Sequence, residues 1–98
     1  MNISKKQEGT SLIIGIDGRL DTNTAPQLEA ELNSSLDGAE SLTIDMSGVE
    51  YISSAGLRVL LYGHKRMSGK GGMKVTHINE AVAEVFEVTG FSDILDIE

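Results

Sequence analysis

The chain contains no cysteine, which removes disulfides, thiolate nucleophiles, zinc-cysteine sites and iron-sulfur clusters together and suits a reducing compartment. Tryptophan is also absent, and two tyrosines and two phenylalanines are the whole aromatic complement, so the core has to be aliphatic. Long apolar runs are missing. After the start MNISKKQEGTS only Leu12-Ile13-Ile14-Gly15-Ile16 follows, far short of a signal h-region or a membrane span. A soluble, cytoplasmic protein is expected. Positive charge is scarce too: 8 Lys+Arg stand against 15 Asp+Glu, for a net charge of -7. Such a balance opposes phosphate backbones and anionic lipid, so no nucleic acid and no membrane is expected as a partner. The one basic cluster, His64, Lys65 and Arg66 with Lys70 and Lys74 after it, reads as a solvated helix end favoured by the negative pole of the helix dipole.

What is present supports one folded domain over residues 1-98. Leu, Ile, Val and Phe supply 27 of the 98 residues, above the apolar minimum for folding. A chain of this size buries about two-thirds of its unfolded surface, so stability should be modest and a deep cofactor cavity would be costly. Ile3 to Glu8 and Ser11 to Asp17 read as extended stretches joined by Gly9-Thr10, an antiparallel hairpin. Thr22-Asn23-Thr24-Ala25-Pro26 is a capping cluster with proline in the first turn, followed by Leu28, Leu32 and Leu36 at helical spacing. That helix ends before Asp37-Gly38. Ser41 to Met46 alternates and reads as a strand, with Ser47 to Tyr51 as the loop after it. Leu57, Leu60, Leu61, His64 and Met67 mark the core stripe of a second helix over Ala55 to Ser68. Met73 to Ile78 is a further strand, Asn79 caps a third helix with Val82, Val85, Phe86 and Thr89 inward, and Gly90 stops it. Ile94, Leu95 and Ile97 form a short edge strand or pack down as a tail.

This order predicts an α/β domain. A four- or five-stranded mixed sheet starts with the hairpin and continues as parallel strands joined by right-handed helical crossovers, with three main helices. Function in such folds sits where strands give way to helices, here the loops Gly18 to Thr24 and Ser47 to Gly56.

Most chemistry is excluded motif by motif. Gly63 to Gly71 reads GHKRMSGKG, with one residue too many between its glycines and no hydroxyl after its lysine, so it is no phosphate-binding loop. Gly69, Gly71 and Gly72 precede a strand and not a helix, which fails the dinucleotide fingerprint. His64 and His77 are the only imidazoles, with no metal-ligand spacing, and neither a metal nor a cofactor is expected. The carboxylates Glu29, Glu31, Glu80, Glu84 and Glu87 read as solvated helix faces, while Asp45 either orients the next loop or ends its strand. Ile52-Ser53-Ser54-Ala55-Gly56 places serine at a loop-to-helix junction, but a nucleophile elbow needs Gly-x-Ser-x-Gly and position 52 is isoleucine. No enzyme is expected. Two readings of Ser53 and Ser54 stay open: a helix cap, or a serine whose phosphate would be held by the free amides of the helix start.

The run LTIDMSGVEYISSAGLRVLL, with GRLDTNTAPQLE upstream and FEVTGFSDILDI at the end, resembles the STAS domain of bacterial anti-sigma factor antagonists over nearly the whole chain. The resemblance implies a partner-switching cycle. The unmodified protein binds an anti-sigma factor serine/threonine-protein kinase and frees the sigma factor, phosphorylation ends that binding, and a serine phosphatase restores it. The family's D-S-[ST]-G-like motif places the phosphorylated serine at Ser54, with Gly56 as its glycine. Ser53 stands where aspartate is common and adds a competing hydroxyl, and Ala55 stands where a second hydroxyl is usual. On helix two, Val59, Tyr62 and Arg66 fall on one line with Arg58 beside it, read as an exposed docking strip unless another segment covers it. Asp21 and Thr22 match the family's GxLD segment and are expected beside Ser54 at the partner contact; alternatively Asp21 only caps helix one. A monomer is expected in the absence of a partner. The same fold in another class would be a constitutive subunit of a larger assembly, such as a lipid-transport ABC complex or a stress-signalling scaffold.

Overall fold

Gly9 takes a positive φ of 64°, which lets the chain reverse between β1 (Asn2–Glu8) and β2 (Ser11–Leu20) in a computed structural model that describes residues 1–98. The two strands pair antiparallel from Asn2 opposite Asp17 to Glu8 opposite Ser11. Then follow α1 (Ala25–Ser35), a 3-10 turn (Leu36–Gly38), β3 (Ser41–Ile52), α2 (Ser54–Met67), β4 (Met73–Thr76), α3 (Glu80–Thr89), a second 3-10 turn (Phe91–Asp93) and β5 (Asp96–Ile97). The sheet has five strands in the order β1-β2-β3-β4-β5. From β2 onward all neighbours are parallel, and each parallel pair is joined by one helix.

One side of this sheet carries the core. Leu12, Ile14, Ile16 and Leu20 of β2 meet Leu42, Ile44 and Met46 of β3 and Met73 and Val75 of β4. The buried residues of all three helices join the same cluster, so the helices cover one face. The alternate residues Ile13, Gly15, Thr43, Asp45 and Ser47 face the other way and are half-buried or exposed. Small and polar side chains make that uncovered face compatible with water, although parallel strands are more often covered on both sides.

The expected loops are shorter than read. Ser47 to Tyr51 lies within β3, and Gly18 to Leu20 belongs to β2; Asp45 accordingly sits inside its strand and does not end it. The reason is two bulges. Gly15 pairs with Asp45 but Asp17 with Gly48, and Gly18 pairs with Val49 but Arg19 with Tyr51, so β3 carries an extra residue at each step. Inward residues therefore run Met46, Val49, Ile52, at a spacing that hides the strand from a search for alternation. In the other direction, β4 stops at Thr76 and not at Ile78 because His77 adopts a positive φ of 60°.

Because β3 outruns β4, the Val49 carbonyl would lack a partner on its open edge. Asn79 supplies one: its Nδ2 donates to Val49 O at 2.9 Å, while its Oδ1 accepts from Val82 N at 2.8 Å and caps α3. A single side chain thus closes a helix end and a strand edge. Asn79→Ala will lose the cap and strand a buried carbonyl, lowering stability by about 2 kcal/mol in urea unfolding. Asn79→Asp keeps the cap and will lose about half of that. Equal losses for both variants would show that the Val49 bond contributes nothing.

Candidate functional site

Two strand-to-helix junctions are locked side by side. Ser53 N donates to Leu20 O at 2.9 Å, tying the start of α2 to the end of β2. Gly56, on the buried side of the first turn of α2, makes this approach possible, since a Cβ there would lie 2.7 Å from Leu20 Cγ and 2.9 Å from Leu20 O. Ser53 is the N-cap residue, with extended φ and ψ of -102° and 176°, yet its side chain makes no capping hydrogen bond. Its Oγ is buried without a partner. Ser54, the first residue of the helix, is exposed. The pair therefore divides into one hydroxyl sealed inside and one presented outward, at a helix terminus whose first N–H groups have no intrahelical acceptor.

The first junction is built around Asp21. Its Oδ1 accepts from Asn23 N at 3.0 Å and Thr24 N at 3.1 Å, and its backbone oxygen accepts from Ala25 N at 2.7 Å. Partial burial pushes the Asp21 carboxyl up, but the N–H groups of Thr24 and Asn23, with the Thr24 hydroxyl and Arg19, together hold it below its ordinary value. The side chain of Asp21 is thus committed to opening helix α1. Thr22 is exposed and shares with Pro26, Glu29, Ala55, Arg58 and Val59 a cavity of about 250 Å³ between the first turns of α1 and α2.

The expected docking strip on α2 is corrected here. Val59 is buried at 5% exposure, and Tyr62 and Arg66 are half-buried. The covering segment is α1 with its 3-10 turn: the Tyr62 hydroxyl donates to Asn33 Oδ1 and accepts from Arg66 at 2.7 Å, and Arg66 pairs with Asp37 at 2.9 Å. Of the four residues only Arg58 is exposed. The core stripe is rotated to match. Gly56, Val59, Leu60, Gly63 and Met67 are buried together with Leu57, whereas Leu61 and His64 sit at the boundary, and the His64 Nδ1 is buried with no hydrogen-bond partner. On α3, Val82 and Phe86 are buried, Val85 is partly so and Thr89 is exposed.

Sequence reading missed a second element of this rim. Arg19 stacks on the Tyr51 ring at 4.4 Å and pairs with Asp21 at 3.5 Å, and Tyr51 is 42% exposed. Arg19 and Tyr51 are register partners across β2 and β3, a relation visible only once the bulges are known.

Asp45 and His77 lie on the uncovered face, with Asp45 Oδ1 3.2 Å from His77 Nδ1. The Ser47 N–H, donated to Asp45 at 3.0 Å, is the main cause that holds this carboxyl below its ordinary value, against partial burial and with help from His77. Glu31 is lowered by the Ser35 hydroxyl and by Lys5, the contact that ties β1 to α1. A depressed carboxyl contributes stability that is complete above its unfolded pKa of about 4 and is lost as pH falls through the folded value. Asp45→Asn will therefore flatten the fall in urea midpoint between neutral pH and about pH 3, by the equivalent of about 0.5 kcal/mol after solvent screening. Superimposable pH profiles would remove Asp45 from the acid response.

Comparison with known proteins extends these observations over the whole chain. The family model for the STAS domain matches residues 2–98. The anti-sigma-B factor antagonist of Bacillus subtilis (strain 168) is 31% identical over 98 residues, which cover 99% of this chain and 90% of that protein. The crystal structure of an anti-sigma factor antagonist from Mycobacterium paratuberculosis shares the fold with a TM-score of 0.89 at 24% identity, over 98% of this chain and 83% of that one. The Bacillus cell fate determinant SpoIIAA, in its phosphorylated form, shares it with a TM-score of 0.76 at 13% identity, over 99% and 91%.

Proposed function

Since this chain belongs to the STAS domain family, we propose that it is an anti-sigma factor antagonist whose binding is switched at Ser54. In this reading the unmodified protein, a cytoplasmic monomer, binds an anti-sigma factor that is also a serine/threonine kinase, and the sigma factor is released. The kinase then transfers the γ-phosphoryl group of its ATP to Ser54 Oγ; the hydroxyl proton is lost, ADP leaves, and the complex parts. A serine phosphatase hydrolyses the phosphate and returns the hydroxyl. The protein itself contributes no catalysis and no cofactor, only a surface.

The observation that carries this reading is the contrast between the two serines. A kinase needs a hydroxyl it can reach, and Ser54 is exposed whereas the Ser53 Oγ is buried. A dianion at the first helical position is tolerated by the free amides and the positive end of the dipole, so the modified form stays folded. Pressed against a partner, the same charge must be desolvated. The docking face in this proposal is Thr22, Ser54 and Arg58 with the Arg19–Tyr51 rim. Val59 acts from beneath as packing.

The test is a capture experiment from lysate of the native host, with ATP or ADP added and wild type, Ser54→Ala and Ser54→Asp as baits. A small ATP-binding kinase retained by the first two and lost by the third is the expected result. The same retained proteins for all three baits would overturn the switch and leave a constitutive assembly subunit.

A further inference from the structure

We propose that Arg58 is the internal counter-ion of a phosphate on Ser54, so that modification withdraws a free guanidinium from the docking face as well as adding negative charge to it. This inference rests on the reading of Ser54 as the modified serine. Three features of Arg58 carry it. First, it is unengaged: Arg19 pairs with Asp21 and Arg66 with Asp37, while Arg58 is exposed and joins no ion pair. Second, its position is that of a partner for residue 54. Both lie on α2, four residues apart, on one face of the helix. Helical side chains lean toward the N-terminus, so Arg58 is within reach of the turn that carries Ser54. The anion is N-terminal to the cation, the favourable order for such a pair.

Third, the other cations are engaged or distant: Arg19 at the rim is held on the Tyr51 ring and by Asp21. Lys65, also on α2, lies about 16 Å further along the helix axis from Ser54. The guanidinium fork also suits a phosphate, with two parallel N–H donors for two oxygens. Without a phosphate, the other charged residue lining the same cavity is Glu29, which forms no ion pair with Arg58. Arg58 is therefore free to meet a partner's carboxylate in the unmodified protein and is claimed from within by the modified one.

Phosphoserine installed at position 54 during translation makes the test independent of any kinase. The second ionisation of the phosphate is followed by phosphorus NMR in the otherwise wild-type protein and in Arg58→Gln and Arg58→Lys. A neighbouring cation favours the dianion, so the phosphate pKa will be about 0.5 unit lower when Arg58 is present than in Arg58→Gln, with Arg58→Lys between the two. In about 1 M salt the difference will shrink. Phosphates that titrate together within about 0.1 unit with Arg58 intact and in Arg58→Gln would overturn the proposal, because the helix terminus is common to both. If instead the capture experiment fails while this difference is found, the switching cycle falls and the pairing stands.

Discussion

Gly56→Ala will destabilise the protein by about 2 kcal/mol and Gly56→Val by about 4 kcal/mol, in urea unfolding at neutral pH. Gly56 lies within α2 and has no positive φ, so the penalty is one of space. An alanine Cβ would meet Leu20 Cγ at 2.7 Å and Ile52 Cγ1 at 2.9 Å, both side chains of the core, and the Leu20 carbonyl at 2.9 Å. Helix propensity returns about 1 kcal/mol when glycine becomes alanine in a helix, and a clash that involves backbone as well as packed side chains costs more than that. Valine adds two methyl groups at the same point. The displaced helix start would also weaken the Ser53 N–H bond to Leu20 and move Ser54 with it. An alanine variant as stable as wild type would show that the junction has slack, and the side-by-side locking of the two strand ends would have to be abandoned.

Ser54→Asp will weaken binding of the retained kinase about a hundredfold, and phosphoserine at the same place about a thousandfold, whereas Ser54→Ala will bind within about threefold of wild type. A thousandfold is about 4 kcal/mol, a modest demand for a dianion forced out of water at an interface. The control lies in the free protein. A carboxylate at the first position of α2 meets the positive end of the dipole, so the thermal midpoint of Ser54→Asp will equal or slightly exceed that of wild type. Loss of binding together with loss of stability would mean unfolding, not switching. Undiminished affinity of Ser54→Asp, measured by calorimetry, would remove Ser54 from the interface.

The parts of the fold that follow local rules were legible. Alternation marked Ser41 to Met46 as a strand, the Thr-Asn-Thr-Ala-Pro cluster marked the start of α1, and Asn79 and Gly90 bracketed α3. What failed depended on partners distant in sequence. Strand β3 outlasted its alternating pattern because β2 continued beside it, and only the register shows the bulges. The rotation of α2 is hidden from a leucine stripe because glycines lie on its buried face. Gly56 and Gly63 have no side chain to register as apolar, yet they mark the line where the helix comes closest to its neighbours; a Cβ at Gly63 would sit 3.1 Å from Met73 Sδ and 3.3 Å from Leu32 Cδ1. Once that line faces inward, Val59 follows it and Tyr62 and Arg66 turn toward α1. At the site, chemistry singled out Ser53 and Ser54 together and helical spacing singled out Arg58, whereas the choice of Ser54 and the naming of Thr22 came from the resemblance to the STAS family; the burial of the Ser53 Oγ could come only from three dimensions.

The order of the sheet bears on how the protein acquires its structure. Each strand from β2 onward lies next to the one synthesised before it, so no strand waits for a later one to be inserted between neighbours. Pairing can advance from the amino end as the chain emerges, one helix and one strand at a time, and no parallel pairing spans more than one crossover. Such a chain should refold in a single phase, with no early trap made by strands joined in the wrong sequence.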